Sequence, residues 1–320
     1  MNKISKAELN KKQARPDREM LDIWIGPTCA NNCIFCTEGG RKTTRRVLSL
    51  NKMEELLKDN PKVRQVIFSG GEPTLNKNFI KYVKLAKKYN FPKIVLITNG
   101  RKLSSMDYCK DIIGAGINEI RISVHGHNAE LHDSQTRAKG SFEETVKGLE
   151  NFKKLKEEFT FIAVITVVMN KMNIAFLTDI LRWLRNFRID RATFVVVEAI
   201  NDGRNSAFKY FKKVVPDYQN IATAVKKMLD YKMAFDTLFD VTIDSAPFCL
   251  MRGYEDFMGQ RDIHVGFDPG SSEVKQIKLP DCYGKVKGPA CRKCSYFAFC
   301  EGVWEEYINK KGWREFRPVM

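Results

Sequence analysis

The sequence lacks any apolar run of about 18 residues, the length that a membrane-spanning helix needs, so we expect no membrane segment. Its first residues carry charge without an apolar core or a small-residue cleavage site, and we therefore expect no secretory signal peptide. Acidic residues are also few, since 38 Asp and Glu stand against 54 Lys and Arg, a formal net charge of +16. With 43% hydrophobic and 29% charged residues, the composition indicates a globular protein, which we expect in the cytoplasm.

The basic residues do not form a run interleaved with aromatic residues, as a nucleic-acid groove would. A lysine-rich solvated surface is the favoured interpretation, and a nucleic-acid partner stays open without being favoured. The nine cysteines include pairs in Cys-x2-Cys spacing. In a chain expected in a reducing compartment, such spacing favours metal ligation over disulfides.

Three cysteines lie close together near the start of the chain. Cys29, Cys33 and Cys36 are spaced by three and then two residues, behind a strand-like run, Leu21–Ile25, and a Gly-Pro turn. Three thiols can hold three corners of an iron–sulfur cluster and leave its fourth iron open, whereas zinc and structural sites usually have four protein ligands. The alternatives are another metal site or a chance grouping. A loop at a strand end is where α/β barrels place their chemistry.

A second motif follows the next predicted strand, Val63–Phe68. Two glycines, Gly70 and Gly71, allow a close backbone approach that a Cβ atom would prevent. Glu72 then presents a carboxylate, and Pro73 fixes the exit of the chain.

Six strands alternate with helices without hairpin signals, which predicts an α/β fold with a parallel sheet curled into an open barrel. The predicted strands are 21–25, 63–68, 94–97, 119–124, 161–168 and 192–197. Helices are predicted over 79–89, 107–115, 141–157, 174–187 and 217–229. Another opens in 49–54, with either Ser49 or Asn51 as its N-cap. Ser141 with Glu144 predicts a capping box, Gly116 a helix end, and 201–211 an irregular loop.

The C-terminal part holds a second cysteine set. Cys291, Cys294 and Cys300 are spaced by two and then five residues, and Cys249 or Cys282 would complete four ligands. We prefer Cys249, because it follows a predicted strand over 240–244 directly, and zinc is the alternative metal. Strands over 263–267 and 274–278 predict a β-hairpin between Cys249 and the last three cysteines.

Taken in order, these motifs resemble those of the radical S-adenosylmethionine (SAM) superfamily, in which an aromatic residue, here Phe35, precedes the last cysteine. The resemblance implies a [4Fe–4S] cluster on Cys29, Cys33 and Cys36 whose open iron binds SAM. It implies a partial (β/α)6 TIM-like barrel. Reductive cleavage of SAM would then give a 5′-deoxyadenosyl radical that abstracts hydrogen from a substrate.

The resemblance also implies a SAM-binding set at the strand ends. Its members are Phe35, Gly70, Gly71, Glu72, Pro73, Asn99, Ser123, Arg137, Val168 and Val197, with Asn170 beside Val168. Asn99 is either a ribose contact or a turn residue, and Arg137 would pair with the SAM carboxylate. In relatives the edges of the fifth and sixth strands hold the adenine, which would place it near Val168, Asn170 and Val197.

The chain departs from the family where relatives have Ser-Leu-Asp-Gly, because Ser123 is followed by Val124, His125 and Gly126. The serine carries over and the aspartate does not. His125 and His127 are either proton donors to a substrate or loop histidines without a special role.

The C-terminal cysteines resemble the SPASM/twitch extensions of radical SAM enzymes and imply one auxiliary [4Fe–4S] cluster. We expect an N-terminal arm over 1–20, the barrel over 21–238 and a small cysteine-rich, twitch-like α+β extension over 239–320.

Such extensions imply an oxidoreductase-like enzyme that oxidises or cross-links a peptide or protein side chain, with a flavodoxin or ferredoxin as reducing partner. Only about twenty residues precede the barrel, so no separate peptide-recognition domain is expected. That keeps small-molecule or cofactor biosynthesis open, together with RNA modification and a non-catalytic iron–sulfur electron carrier. No catalytic side chain is assigned from the sequence.

Overall fold

The computed structural model describes residues 19–39, 48–235, 238–259, 263–267, 277–278 and 284–320. Its parallel strands are β1 (Glu19–Trp24), β2 (Gln65–Ser69), β3 (Lys93–Thr98), β4 (Glu119–Ser123), β5 (Ile162–Met169), β6 (Arg191–Val196) and β7 (Asp240–Asp244). Each pairs with the next in chain order, and the sheet does not close on itself. The predicted partial TIM-like barrel is confirmed, with a seventh parallel strand.

Helices connect these strands and follow the last one. They are α1 (Leu50–Asp59), α2 (Phe79–Lys88), α3 (Met106–Ala115), α4 (Ala129–Thr136), α5 (Ser141–Leu155), α6 (Leu177–Leu184), α7 (Ser206–Lys209), α8 (Phe211–Val214), α9 (Tyr218–Phe235) and, after the barrel, α10 (Glu305–Lys311). One large apolar cluster lies between the sheet and the helices, with Leu21, Val66 and Ile94 in register across β1, β2 and β3. No helix in the described part of the chain is both long and apolar enough to span a bilayer.

The predicted hairpin is present in its described part, but it lies on the barrel sheet. β8 (Ile263–Phe267) runs parallel to β1, and β9 (Ile277–Lys278) pairs with β8 in the antiparallel direction and forms the sheet's other edge. Residues 274–276 of the predicted second strand lie outside the described residues. A separate two-stranded ribbon joins β10 (Lys285–Val286) to β11 (Val303–Trp304) beside the C-terminal cysteines.

Two of the predicted helix ends are confirmed and one is wrong. Ser49 caps α1 by accepting from the Lys52 backbone N–H, and Gly116 ends α3 with a φ of 130°. Ser141, in contrast, is the first helical residue of α5, and Gly140 at φ 79° is the N-cap. The Ser141 hydroxyl instead donates to Asp133 Oδ1, eight residues earlier in the chain, at 2.8 Å. This contact replaces the predicted capping box.

The segment 201–211 was expected to be irregular, and the structure forms α7 and the start of α8 there. Asn205 caps α7 by accepting from the Phe208 N–H at 2.9 Å. The helix is only one turn long, which is why no apolar period marks it in the sequence.

Candidate functional site

The cysteine loop, residues 26–39, leaves the carboxyl end of β1 and lies against the end of β2. The Gly71 N–H donates to the Gly26 carbonyl at 2.8 Å, and the Glu72 N–H donates to the Thr28 carbonyl at 2.7 Å. A Cβ atom on Gly71 would lie 2.5 Å from the carbonyl oxygens of Pro27 and Thr28. Glycine is therefore required here because the cysteine loop itself comes so close. A contact of Gly70 or Gly71 with SAM stays a prediction.

The other side of the cysteine loop lies on the end of α4. The Asn32 N–H donates to the Thr136 carbonyl, and the Ile34 N–H donates to the Gln135 carbonyl, both at 2.9 Å. Phe35, which is buried, places its ring edge-on to His125 with 4.7 Å between centroids. Hydrogen bonds on both sides thus fix the position of the cysteine loop between the end of β2 and the end of α4.

Two arginines hold the cysteine loop from outside. Arg101 donates from Nη1 to the Ala30 carbonyl at 2.9 Å and to Asn31 Oδ1 at 3.0 Å. Arg137 donates to the Asn32 carbonyl and, at 3.1 Å, to Asn32 Oδ1. Both guanidinium groups bring positive charge to the thiols, which suits an anionic cluster. The predicted pairing of Arg137 with the SAM carboxylate stays a prediction.

The role of Arg101 is not indicated by any motif in the sequence. Its only local signal is that it follows Asn99-Gly100 at the end of β3, a position shared by many turn residues. Its partner on the cysteine loop is about seventy residues away in the chain, so only the assembled barrel brings them together.

The three thiols of the cysteine loop are close enough to influence one another electrostatically. Burial, followed by the negative charges of Cys36 and Cys29, raises the pKa of the Cys33 thiol far above its usual value. Backbone N–H groups point at sulfur, from Asn31 to Cys29 Sγ at 3.4 Å and from Glu38 to Cys36 Sγ at 3.3 Å. Such N–H···S contacts stabilise thiolate ligands of iron–sulfur clusters.

Across the described ranges, no three Cys, His, Asp or Glu side chains are grouped tightly enough to hold a single metal ion. A four-iron cluster spreads its thiolate ligands over separate corners, so its donors need a wider spacing than those of one ion. Thiols with sulfur-directed N–H groups and neighbouring arginines fit such a cluster.

Glu72 is 4% exposed and takes donors from the ends of two strands. Its carboxylate accepts from Thr74 Oγ1, Thr98 Oγ1 and the Asn99 N–H, each at 2.7 Å. Burial is the largest influence on this group and raises the pKa of Glu72. In this structure, Glu72 therefore joins the ends of β2 and β3. Its contact with SAM, like that of Pro73, stays a prediction.

Asn99 lies at the end of β3 and points its amide toward the thiols, with Nδ2 3.8 Å from Cys29 Sγ. Ser123 ends β4 and is partly buried, Val168 is partly buried near the end of β5, and Val197 follows β6 in the core. These positions are at the barrel end that carries the cysteine loop. Their roles toward SAM stay predictions.

His125 and His127 differ in their surroundings. His125 is buried, and its Nδ1 accepts from the Val168 N–H at 3.3 Å. Burial and then His132 lower the pKa of His125 well below its usual value, so it is neutral at neutral pH. His127 is half-buried beside Phe176, with 5.8 Å between ring centroids.

The second thiol set lines one cavity of about 260 Å³. Cys249, Cys291, Cys294 and Cys300 all contribute to its wall, together with apolar and aromatic side chains. Burial and then the charges of the other three thiols raise the pKa of Cys249 to about 12. The Val319 N–H points at Cys294 Sγ and the Gly302 N–H at Cys300 Sγ, both at 3.4 Å. These donors fit a second cluster, and Cys282 lies outside the described residues.

A segment after β6, residues 198–206, touches both thiol regions. Its Ser206 N–H donates to the Cys36 carbonyl at 2.8 Å. At its other end, Ile200 packs on Gly284, where an added Cβ would lie 2.9 Å from Ile200 Cδ1. We call this the bridging segment, because it lies between the cysteine loop and the C-terminal ribbon.

Glu198 begins the bridging segment, and its carboxylate has no hydrogen-bond or ion-pair partner among the described residues. Burial raises the pKa of Glu198 to about 7, against a lowering by Lys285 and smaller raising effects of Asp202 and Glu38. Lys285 is already paired with Glu301 and with Ser245 Oγ at 2.9 Å. Glu198 is thus a half-buried carboxyl group that is about half protonated near neutral pH.

Replacing Glu198 with glutamine should change how stability depends on pH. Since the pKa of Glu198 in the folded protein lies above its usual value of about 4.5, the stabilisation that comes from its protonated form is complete below that pH. It is lost as the pH rises through about 7. Relative to Glu198→Gln, the free energy of unfolding of the wild type should fall by about 1–3 kcal/mol between pH 5 and pH 8. Urea unfolding of both proteins at several pH values measures this. A constant difference across that range would contradict the assignment.

A comparison with protein families matches residues 23–184, about half of the chain, to the model described as "Radical SAM superfamily". Among curated proteins, a probable GTP 3′,8-cyclase of Methanopyrus kandleri is 30% identical over 137 residues, 42% of this chain and 43% of that protein. An AdoMet-dependent heme synthase of Oleidesulfovibrio alaskensis is 28% identical over 170 residues, 52% of this chain and 42% of that protein. The matches to these two relatives thus cover less than half of each.

Among solved structures, SuiB of Streptococcus suis, described as bound to its precursor peptide SuiA, superposes with a TM-score of 0.67. The match covers 95% of this chain and 76% of that one at 15% identity. At this identity the likeness concerns the fold, and it extends through the C-terminal part of the chain.

Proposed function

We propose, because this chain belongs to the radical SAM superfamily, that it cleaves SAM reductively and abstracts a hydrogen atom from a peptide or protein side chain. When bound, the [4Fe–4S] cluster and SAM supply the electron and the 5′-deoxyadenosyl radical. The protein's own contribution is to hold, orient and shield these groups. A flavodoxin or ferredoxin as electron donor and a cytoplasmic location belong to the same proposal.

In this proposal, Cys29, Cys33 and Cys36 hold the cluster that meets SAM. Arg101 and Arg137 keep the cysteine loop in place through its carbonyl groups. The four thiols around the second cavity hold an auxiliary cluster. A site with four cysteine ligands suits electron transfer, which would make an oxidation of the substrate the favoured outcome.

The observation that carries the choice of substrate is Glu198. Glu198 is a half-buried carboxyl group without a hydrogen-bond or ion-pair partner among the described residues, and the charges that act on it are those of Lys285, Asp202 and Glu38. Because Lys285 is already paired with Glu301, the excess of negative charge there would repel the triphosphate of a nucleotide. It would instead favour a substrate with N–H donors or a positive charge, such as a basic peptide side chain. The fold shared with SuiB, described as bound to a precursor peptide, supports a peptide as well.

Small-molecule biosynthesis is the second candidate. The sequence relatives named as a probable GTP 3′,8-cyclase and an AdoMet-dependent heme synthase favour it.

A protease test separates the two candidates. Reconstituted protein with SAM and dithionite is given a low-molecular-mass cell extract, either untreated or digested with a non-specific protease that is then removed. The peptide proposal predicts that the extract stimulates 5′-deoxyadenosine formation at least fivefold and that digestion removes the stimulation. Stimulation that survives digestion would reject the peptide and support a small-molecule substrate. Glu198→Gln should reduce the stimulation without changing 5′-deoxyadenosine formation in the absence of extract.

A further inference from the structure

Gln135 contacts three parts of the barrel mouth at once. Its backbone carbonyl accepts from the Ile34 N–H of the cysteine loop at 2.9 Å. Its side-chain Nε2 donates to the His125 carbonyl, just after β4, at 2.8 Å. Its Oε1 accepts from Asn170 Nδ2, just after β5, at 2.7 Å. The residue is completely buried, so these contacts are shielded from water.

Two further buried amides complete this arrangement. Asn170 accepts from the Met172 N–H at 2.9 Å, and its own N–H donates to Asn173 Oδ1 at 2.9 Å. Asn173 Nδ2 donates to the carbonyls of His125 and Val168 at 3.1 and 2.9 Å. Each of the three amide side chains thus has both a donated and an accepted hydrogen bond, and such a satisfied network favours a single geometry.

Stability alone does not explain why three amides are buried here. Apolar side chains of similar volume would fill the same space without needing hydrogen-bond partners, whereas a buried amide that loses a partner destabilises the fold. What the amides add is directional: they fix the cysteine loop relative to the ends of β4 and β5.

We propose that Gln135 is a positioning residue for SAM, which sets the separation between the cysteine loop and the end of β5. The inference rests on the proposed function, in which one end of SAM meets the cluster on the cysteine loop. The other end, the adenine, is predicted to lie near Val168 and Asn170. A ligand that spans both places is sensitive to their separation, because a displacement of about 1 Å already weakens a preorganised site.

The chain offers a matched control for loss of a buried amide. Asn151 on α5 is 7% exposed and donates to the carbonyls of Leu103 and Ser104 at 2.9 and 3.1 Å. Neither of these contacts involves the cysteine loop or β5. Asn151→Leu therefore reports what a lost buried amide does to stability without touching the proposed span.

The test compares Gln135→Met, Asn151→Leu and wild type as reconstituted full-length proteins. The readouts are iron content, the melting temperature and the SAM dissociation constant, taken from the change that SAM causes in the EPR spectrum of the reduced protein. We expect Gln135→Met to keep its iron and to bind SAM at least tenfold more weakly. Asn151→Leu should lower the melting temperature similarly and leave SAM affinity within twofold of wild type.

Unchanged SAM affinity in Gln135→Met, or equal weakening in both variants, would overturn the inference. If Gln135→Met does not fold, the isosteric Gln135→Glu replaces it, because a carboxylate cannot donate to the His125 carbonyl. The same weakening is then expected at pH 8. A wild type whose EPR spectrum does not respond to SAM would instead refute the proposed function, and this inference with it.

Discussion

Replacing Cys33 with alanine is expected to reduce 5′-deoxyadenosine formation to background while the second thiol set keeps its iron. Cys33 is the middle one of the three cysteines on the cysteine loop, and the pKa of its thiol is raised by burial and by both neighbouring thiols. Two thiols alone do not hold a four-iron cluster firmly, so the iron that meets SAM would be lost. Iron content should fall from about eight to about four per chain, measured together with 5′-deoxyadenosine after anaerobic reconstitution.

Cys109 provides the control for this experiment. It is buried on α3, and its thiol contacts the Leu103 carbonyl at 3.1 Å, away from both thiol sets. Cys109→Ala should keep about eight irons and full SAM cleavage. Cleavage retained by Cys33→Ala would refute the assignment of the triad.

Replacing Cys249 with alanine should remove iron from the second thiol set and leave SAM cleavage in place. Cys249 lines the second cavity with Cys291, Cys294 and Cys300. Burial and the charges of these three thiols raise the pKa of its thiol. Removing it opens the fourth corner of the proposed auxiliary cluster, so about four irons should be lost while SAM cleavage without substrate continues. Stimulation by an extract should be lost, if the auxiliary cluster takes part in the substrate oxidation.

Two results would contradict that assignment. A Cys249→Ala protein with an unchanged iron count would move the fourth ligand to another residue, with Cys282 as the next to test. Wild type with about four irons and one zinc per chain would replace the auxiliary cluster by a zinc site.

The barrel could be predicted from the sequence because its strands are short apolar runs that end at glycine or polar residues. Val63–Phe68 and Phe161–Val168 correspond to β2 and β5 within a few residues, and the motifs at their ends lie at one end of the barrel. The thiol sets were also predictable, since most of their cysteines are close together in the chain. Cys249 is the exception, and the structure brings it to the cavity from more than forty residues away.

The side chains that hold the cysteine loop and the strand ends in place could not be predicted in the same way. Arg101 and Gln135 meet their partners across the barrel end, and no local pattern distinguishes them from ordinary turn and helix residues. Ser141 shows the same limit for a helix end, because Asp133 takes its hydroxyl through a tertiary contact. Glu72 accepts from four protein donors, which its motif alone does not indicate. Such outcomes depend on packing between elements, which a single sequence does not specify.

The most direct test of the central proposal is 5′-deoxyadenosine formation by the reconstituted wild-type protein with SAM and dithionite under strict anaerobiosis. The proposal predicts slow formation without substrate that requires Cys29, Cys33 and Cys36 and does not require Cys109. A protein with a full iron count that forms no 5′-deoxyadenosine, either alone or with any extract fraction, would contradict it. The chain would then hold its clusters for electron transfer alone.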